Sequence, residues 1–258
     1  MKLIFISDIH ANLPALEAVW EDIQKHSPDV IFCLGDLVNF AGWDNQVVDF
    51  IRSHNIITIQ GNHDEGIGNL NNNFPYSYQT QAQKEFGILS IKIVQKRITD
   101  PNRKFLQTLP FSVVVTYKFS AEIIRMAMVH GSTRSNEDYI KEEISDSALL
   151  KMMSDINADI LFMGHTHKPY HKSIFIEEGN RKIYKHAINA GSVGKPKHGN
   201  NKACYAMLKM DENTNLSNPN SLNVDFEYVS YNVEKVIEKI HSLGLGDAYD
   251  NFLKNGQA

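Results

Sequence analysis

Residues 3–36 read LIFISDIHANLPALEAVWEDIQKHSPDVIFCLGD. An apolar run from Leu3 to Ile6 gives way to polar residues, then to helical periodicity from Leu13 to His26, then to a second apolar run from Val30 to Leu34. Working outward, a further helical pattern from Asn45 to His54 and a third apolar run from Ile56 to Gln60 complete a βαβαβ order. Strands separated by helices of this length pair in parallel through right-handed crossovers. Pro14 suits the first turn of the first helix, with Asn12 or Leu13 near its cap.

Beyond residue 60 the pattern changes. Tyr78 to Ile98 reads as one long polar helix, and Asp100-Pro101 opens a shorter one that ends before Pro110. Together they predict a helical cap inserted at about residues 74–110. From Phe111 onward β-like runs return: 112–117, 122–129, 160–163, 172–176, 182–188, 203–210 and 224–229. A helix at about 145–155 interrupts them, two more at about 233–243 and 247–254 close the chain, and the Asn- and Ser-rich stretch 211–222 reads as a hairpin loop. The expectation is one α/β domain spanning residues 1–258, with two mixed sheets packed face to face and helices outside.

A chain of 258 residues with 42% hydrophobic side chains buries its own core without disulfides. Cys33 and Cys204 lie in apolar segments and are read as buried free thiols. No apolar run approaches the roughly 18 residues of a membrane span, and the N-terminus lacks a secretory pattern, so a cytoplasmic location without a membrane partner is expected. A net charge of −4 provides no general attraction for nucleic acid. Any anion must be held by local positive charge. The sequence gives no reading of oligomeric state.

Five predicted strand ends carry every candidate ligand. Asp8 and His10 follow the first strand, Asp36 the second, and Asn62 and His63 the third. His130 follows the strand ending at Val129, and His165 and His167 follow the one ending at Met163. Loops at the carboxyl ends of an α/β sheet converge on one crevice, so these distant residues can meet. Imidazoles and carboxylates with one amide and no thiolate suit Mn²⁺, the expected ion, or Fe²⁺ or Zn²⁺. Seven side chains exceed the needs of one catalytic ion, whereas two ions about 3.5–4 Å apart would use them all. Asp36, on the middle strand, is the natural bridge. Asp8, His10 and His167 would complete one ion, and Asn62, His130 and His165 the other. Two divalent ions against two carboxylates leave a positive pocket suited to a phosphoryl group, attacked by a hydroxide held on the dinuclear centre. His63, beside ligand Asn62, is placed to protonate the leaving oxygen.

These motifs resemble the calcineurin-like metallophosphoesterase superfamily in its compact prokaryotic phosphodiesterase and phosphatase branch: Asp8-Ile9-His10, Gly35-Asp36, Gly61-Asn62-His63-Asp64, Val129-His130-Gly131 and Gly164-His165-Thr166-His167, over about Lys2 to Met210. The resemblance implies a four-layer α/β/β/α sandwich, the same seven ligands to two divalent ions, and His63 as the acid. It implies a metal-dependent hydrolase of a small phosphorylated metabolite or nucleotide. A dinucleoside polyphosphate hydrolase is the nearest alternative, and a non-catalytic metal-binding scaffold of the same fold is another. One departure stands out. The protein phosphatase branch follows Gly-Asp with an Asp-Arg pair that orients the histidine and grips phosphate, whereas this chain has Asn39 and Phe40. Protein phosphatase activity is therefore not expected.

Arg134 is a candidate for the missing phosphate contact, with a solvated surface role as the alternative. Tyr76 and Tyr78 read as core or hinge aromatics, with stacking on a substrate ring as the alternative. Lys195, Lys197, His198 and Lys202 form a small basic loop, read first as solvated charge and second as a nucleotide-phosphate contact.

Overall fold

The computed structural model describes residues 1–71, 80–119 and 122–256. Strand β1 (Lys2–Ile6) buries both faces: Leu3 and Phe5 point one way, Ile4 and Ile6 the other. That explains its unbroken apolar sequence. Helix α1 (Leu13–His26) begins where the Asn12 side chain accepts from the Ala15 N–H at 3.2 Å, has Pro14 in its first turn, and stops at Ser27 in the left-handed region. Strands β2 (Val30–Cys33) and β3 (Ile57–Thr58), separated by α2 (Asp44–Ser53), extend the parallel sheet.

The chain continues through α3 (Asn62–Gly68), α4 (Gln81–Arg97) and α5 (Asp100–Thr108), then β4 (Ser112–Lys118) and β5 (Ile123–Val129). After these come α6 (Asp146–Asp155), β6 (Ile160–Met163), β7 (Tyr170–Glu178), β8 (Arg181–Asn189), β9 (Ala203–Lys209), β10 (Asn223–Val229), α7 (Val233–Ser242) and α8 (Asp250–Asn255). Two five-stranded sheets result, ordered β10-β9-β1-β2-β3 and β4-β5-β6-β8-β7. The fold is mixed α/β, as the sequence implied.

The sheets pack through Leu3, Phe5, Phe32, Met126, Phe162 and their neighbours, with the Phe5 and Phe162 rings stacked at 3.5 Å between centroids. Outside the first sheet, Leu16, Val19 and Ile23 of α1 and Val47, Val48 and Ile51 of α2 form a second core. Ile91 and Val94 of α4 and Leu106 of α5 join it, so the segment expected as a cap packs into this helical layer. Leu149, Met152 and Met153 of α6 cover the outside of the second sheet. The pair α7 and α8 forms a satellite core with Phe40 and Phe86. Both cysteines are free and buried. Among the described residues no helix is long and apolar enough to cross a membrane.

Candidate metal centre

Strands β1, β2 and β3 run parallel, as do β5, β6 and β8, and the loops leaving these strands meet at one edge. Their backbone turns sharply there. Asp8, His10, Asp36, His165 and His167 all adopt positive φ, between 50° and 64°. Such strain in non-glycine residues persists only where the surroundings enforce it. Two glycines let the loops close up. A Cβ on Gly61 would collide with Asp36, and one on Gly164 would lie 2.8 Å from Asp8 Oδ2 and collide with Ser7 Oγ.

The structure brings Asp8, His10 and His167 into one buried cluster and Asp36, His130 and His165 into a second, while His10, Asp36 and His63 form a third that links them. His10 Nε2 lies 3.2 Å from His167 Nε2 and 3.7 Å from Asp36 Oδ2. His130 Nε2 lies 3.4 Å from the same Asp36 oxygen and 3.1 Å from Asn62 Oδ1. β2 does run between β1 and β3, which sets Asp36 at the centre.

The outer hydrogen bonds orient the imidazoles. His130 Nδ1–H donates to the Leu34 carbonyl at 2.7 Å, and His167 Nδ1–H donates to the Lys195 carbonyl at 2.6 Å. Each therefore turns a bare Nε2 inward, the arrangement that metal-binding histidines adopt. His167 Nε2 faces Asp8 Oδ1 at 3.2 Å, and that oxygen, like His10 Nδ1, is buried without a hydrogen-bond partner among the described residues. Acceptors facing acceptors in a dry site call for a cation. Burial opposes ionisation of both carboxyls, yet His167 beside Asp8 lowers its pKa, and His130 and His63 beside Asp36 hold its pKa well below the usual range. Burial also disfavours charge on His130, but Asp36 raises its pKa to about 10. A proton held that tightly occupies ground that a divalent ion would take. The donor set fits divalent metal ions.

His63 stands at the rim. Its side chain is 14% exposed, where Asp36 has 1% and His130 none, and its Nε2 is 3.8 Å from Asp36 Oδ2. Burial lowers its pKa to about 4. The hollow above the cluster is lined by His10, His63 and His167 together with Phe40, Phe86 and Tyr249.

Residues 1–213 match the calcineurin-like phosphoesterase superfamily domain. The chain belongs to that superfamily. It is 33% identical over 247 residues to MJ0912, an uncharacterized protein of Methanocaldococcus jannaschii, across 91% of this chain and 90% of that one. It is 26% identical over 222 residues to the phosphodiesterase YfcE of Escherichia coli, across 82% and 89%. Among solved structures, a metallophosphoesterase from Sphaerobacter thermophilus has a TM-score of 0.70 at 24% identity over 99% of both chains. The hypothetical protein PH1004 of Pyrococcus horikoshii has 0.73 at 18%, over 100% and 99%. These two share the fold. The calcineurin-like phosphoesterase described here is a metal-dependent hydrolase of phosphoesters.

Not every candidate reaches this phosphoesterase's centre. Arg134 is turned away: its guanidinium donates to Asp155 on α6 at 3.3 Å, and it lines a separate hollow with Ile140 and Met152. Tyr76 and Tyr78 lie outside the described residues. The sequence reading gave no role to Asp64, whose carboxylate accepts from the Asp36 and Leu37 N–H groups, both at 2.8 Å, and from Gly61 N–H at 3.0 Å. The stretch Asn189-Ala190-Gly191-Ser192-Val193-Gly194 resembles a turn near the site in the superfamily branch, and here Ser192 donates to the Asp8 carbonyl at 2.8 Å and Asn189 donates to the Gly164 carbonyl at 2.6 Å.

Proposed function

We propose that this calcineurin-like phosphoesterase hydrolyses a small phosphorylated metabolite or nucleotide at a two-ion centre. Asp8, His10, Asp36 and His167 would hold one ion, and Asp36, Asn62, His130 and His165 the other. The observation that carries the reading is Asp36: one oxygen faces the histidines of both clusters, at 3.7 and 3.4 Å. Mn²⁺ suits this thiolate-free set, with Fe²⁺ or Zn²⁺ as alternatives. When bound, such a pair lowers the pKa of a water molecule and offsets phosphoryl charge.

The chain's own residues handle the leaving oxygen. The Phe40 N–H donates to Asn39 Oδ1 at 2.9 Å, and the Ser90 hydroxyl donates to the same oxygen. The Asn39 amide nitrogen therefore faces His63 Nδ1 at 3.0 Å and donates to it. His63 is left with its proton on Nε2, the nitrogen nearer Asp36. From there it supports the departing oxygen as a neutral donor, which suits a leaving group that needs little protonation.

The test is turnover by Mn²⁺-loaded protein on aryl and alkyl phosphomonoesters, phosphodiesters and dinucleoside polyphosphates. Hydrolysis is expected, with aryl esters preferred, and His63→Ala should lose turnover while still binding two equivalents of metal. A wild-type protein that binds both equivalents and cleaves nothing on the panel is a scaffold, and the reading fails.

A further inference from the structure

The loop after β8 carries two lysines for which hydrolysis alone has no use. Its backbone is tied to the ligand loops: Gly194 N–H donates to the Asp8 carbonyl at 3.0 Å, Lys195 N–H donates to Ser192 Oγ at 2.8 Å, and the Lys195 carbonyl accepts from His167. Lys195 Nζ then lies 4.2 Å from the ring centre of Phe40, 4.4 Å from that of Tyr249 and 5.9 Å from that of Phe252. Ring faces stabilise a cation, yet they do not satisfy the three N–H donors of an ammonium. Among the described residues neither Lys195 nor Lys197 has a carboxylate partner or an acceptor for its ammonium. Both line the hollow above the metal centre.

We propose that Lys195 and Lys197 form an anion subsite that takes a second phosphate of the substrate, apart from the phosphoryl being hydrolysed. The inference rests on the phosphoesterase reading and adds a substrate class: small molecules bearing two phosphates, with the connecting group along Phe40, Phe86 and Tyr249.

Charge balance favours this over a role for the lysines on the reacting phosphoryl. Two divalent ions against Asp8, Asp36 and an attacking hydroxide leave one positive charge, which one phosphoryl dianion more than offsets. The two lysines then supply positive charge for a further anionic group of the substrate. Tyr249, at the N-cap of α8, and Phe252 within it lie beyond residues 1–213, which match the family domain.

The experiment is calorimetric titration of Mn²⁺-loaded protein with alkane-α,ω-bisphosphonates of increasing length, each paired with the monophosphonate of equal chain and with the matching phosphonocarboxylate. At the best length the bisphosphonate is expected to bind at least about tenfold more tightly than either. The double variant Lys195→Gln/Lys197→Gln should bring the bis-to-mono ratio close to one while monophosphonate binding persists. Lys197→Gln alone, which keeps the aromatic contacts of Lys195, should lose part of the preference and guards against a folding defect in the double variant. A ratio near one in the wild type, a ratio unmoved by both variants, or equal loss of both ligands overturns the proposal. A phosphonocarboxylate as tight as the bisphosphonate overturns the phosphate assignment. Hydrolysis of an aryl phosphoester is assayed in parallel: its absence in the wild type defeats the phosphoesterase reading and leaves the calorimetric comparison to decide the subsite.

Discussion

At the scale of single residues, the Asn39 amide controls the protonation of its neighbour. Its oxygen is committed to the Phe40 N–H and the Ser90 hydroxyl, so an imidazolium at His63 would present Nδ1–H to an amide N–H. Burial lowers the His63 pKa to about 4, with Asp36 opposing the fall and Lys195 adding to it. Asn39→Asp keeps the Phe40 contact through one oxygen and offers the other to Nδ1–H. The expected outcome is a raised His63 pKa and a fall of about tenfold in the aryl-over-alkyl preference, read from kcat/KM on paired esters. An unchanged preference would mean that His63 does not protonate the leaving group. Asn39 is also suited to its place for another reason. It sits at φ 73°, in the left-handed region that Asn tolerates better than most residues.

At the scale of elements, the short helix α3 fixes the approach of the β2 and β3 loops. Asp64 receives three backbone N–H groups there, and its pKa is raised to about 7 by burial and by Asp36. Asp64→Leu should cost about 2–4 kcal/mol in chemical unfolding, because all three buried donors lose their partner. It should also weaken metal binding through the displaced Asp36, measured by competition with a chelator. This helix was not legible in the sequence. Asn62–Gly68 carries one large apolar residue, Ile67, and two glycines, so no helical period exists to be read. The strand-end ligands were legible because each follows an apolar run whose burial fixes its position. Arg134 and Lys195 were not, since loop residues take their direction from contacts distant in sequence: Asp155 in one case, Phe40 and Tyr249 in the other.

The β7–β8 hairpin carries a further titration. His186 is fully buried, faces His171 Nε2 at 2.9 Å, and has its pKa lowered from 6.5 to about 3, by burial first and His171 second. Between these values the unfolded chain binds a proton that the folded one does not. Stability therefore falls as pH drops through this window, by up to about 1.4 kcal/mol per pH unit. His186→Gln should flatten that slope in urea unfolding curves collected from pH 6.5 to pH 4.

At the scale of the molecule, the centre joins loops from both sheets, so ion binding and folding are linked. Metal at 100 times its dissociation constant stabilises a native state by about 2.7 kcal/mol per site. Removing metal with a chelator should lower Tm, and returning Mn²⁺ should restore it. Asp36→Asn, which removes the carboxylate shared by both clusters, should abolish most of that response. Should Tm ignore metal altogether, the seven side chains do not form a cation site in solution.

The helices α7 and α8 meet α4 and the Phe40 loop in a core of their own, separate from the one between the sheets. Replacing only these segments with those of another superfamily member would change the Tyr249 side of the hollow while the strand-end loops keep Lys195 and Lys197 beside the clustered ligands.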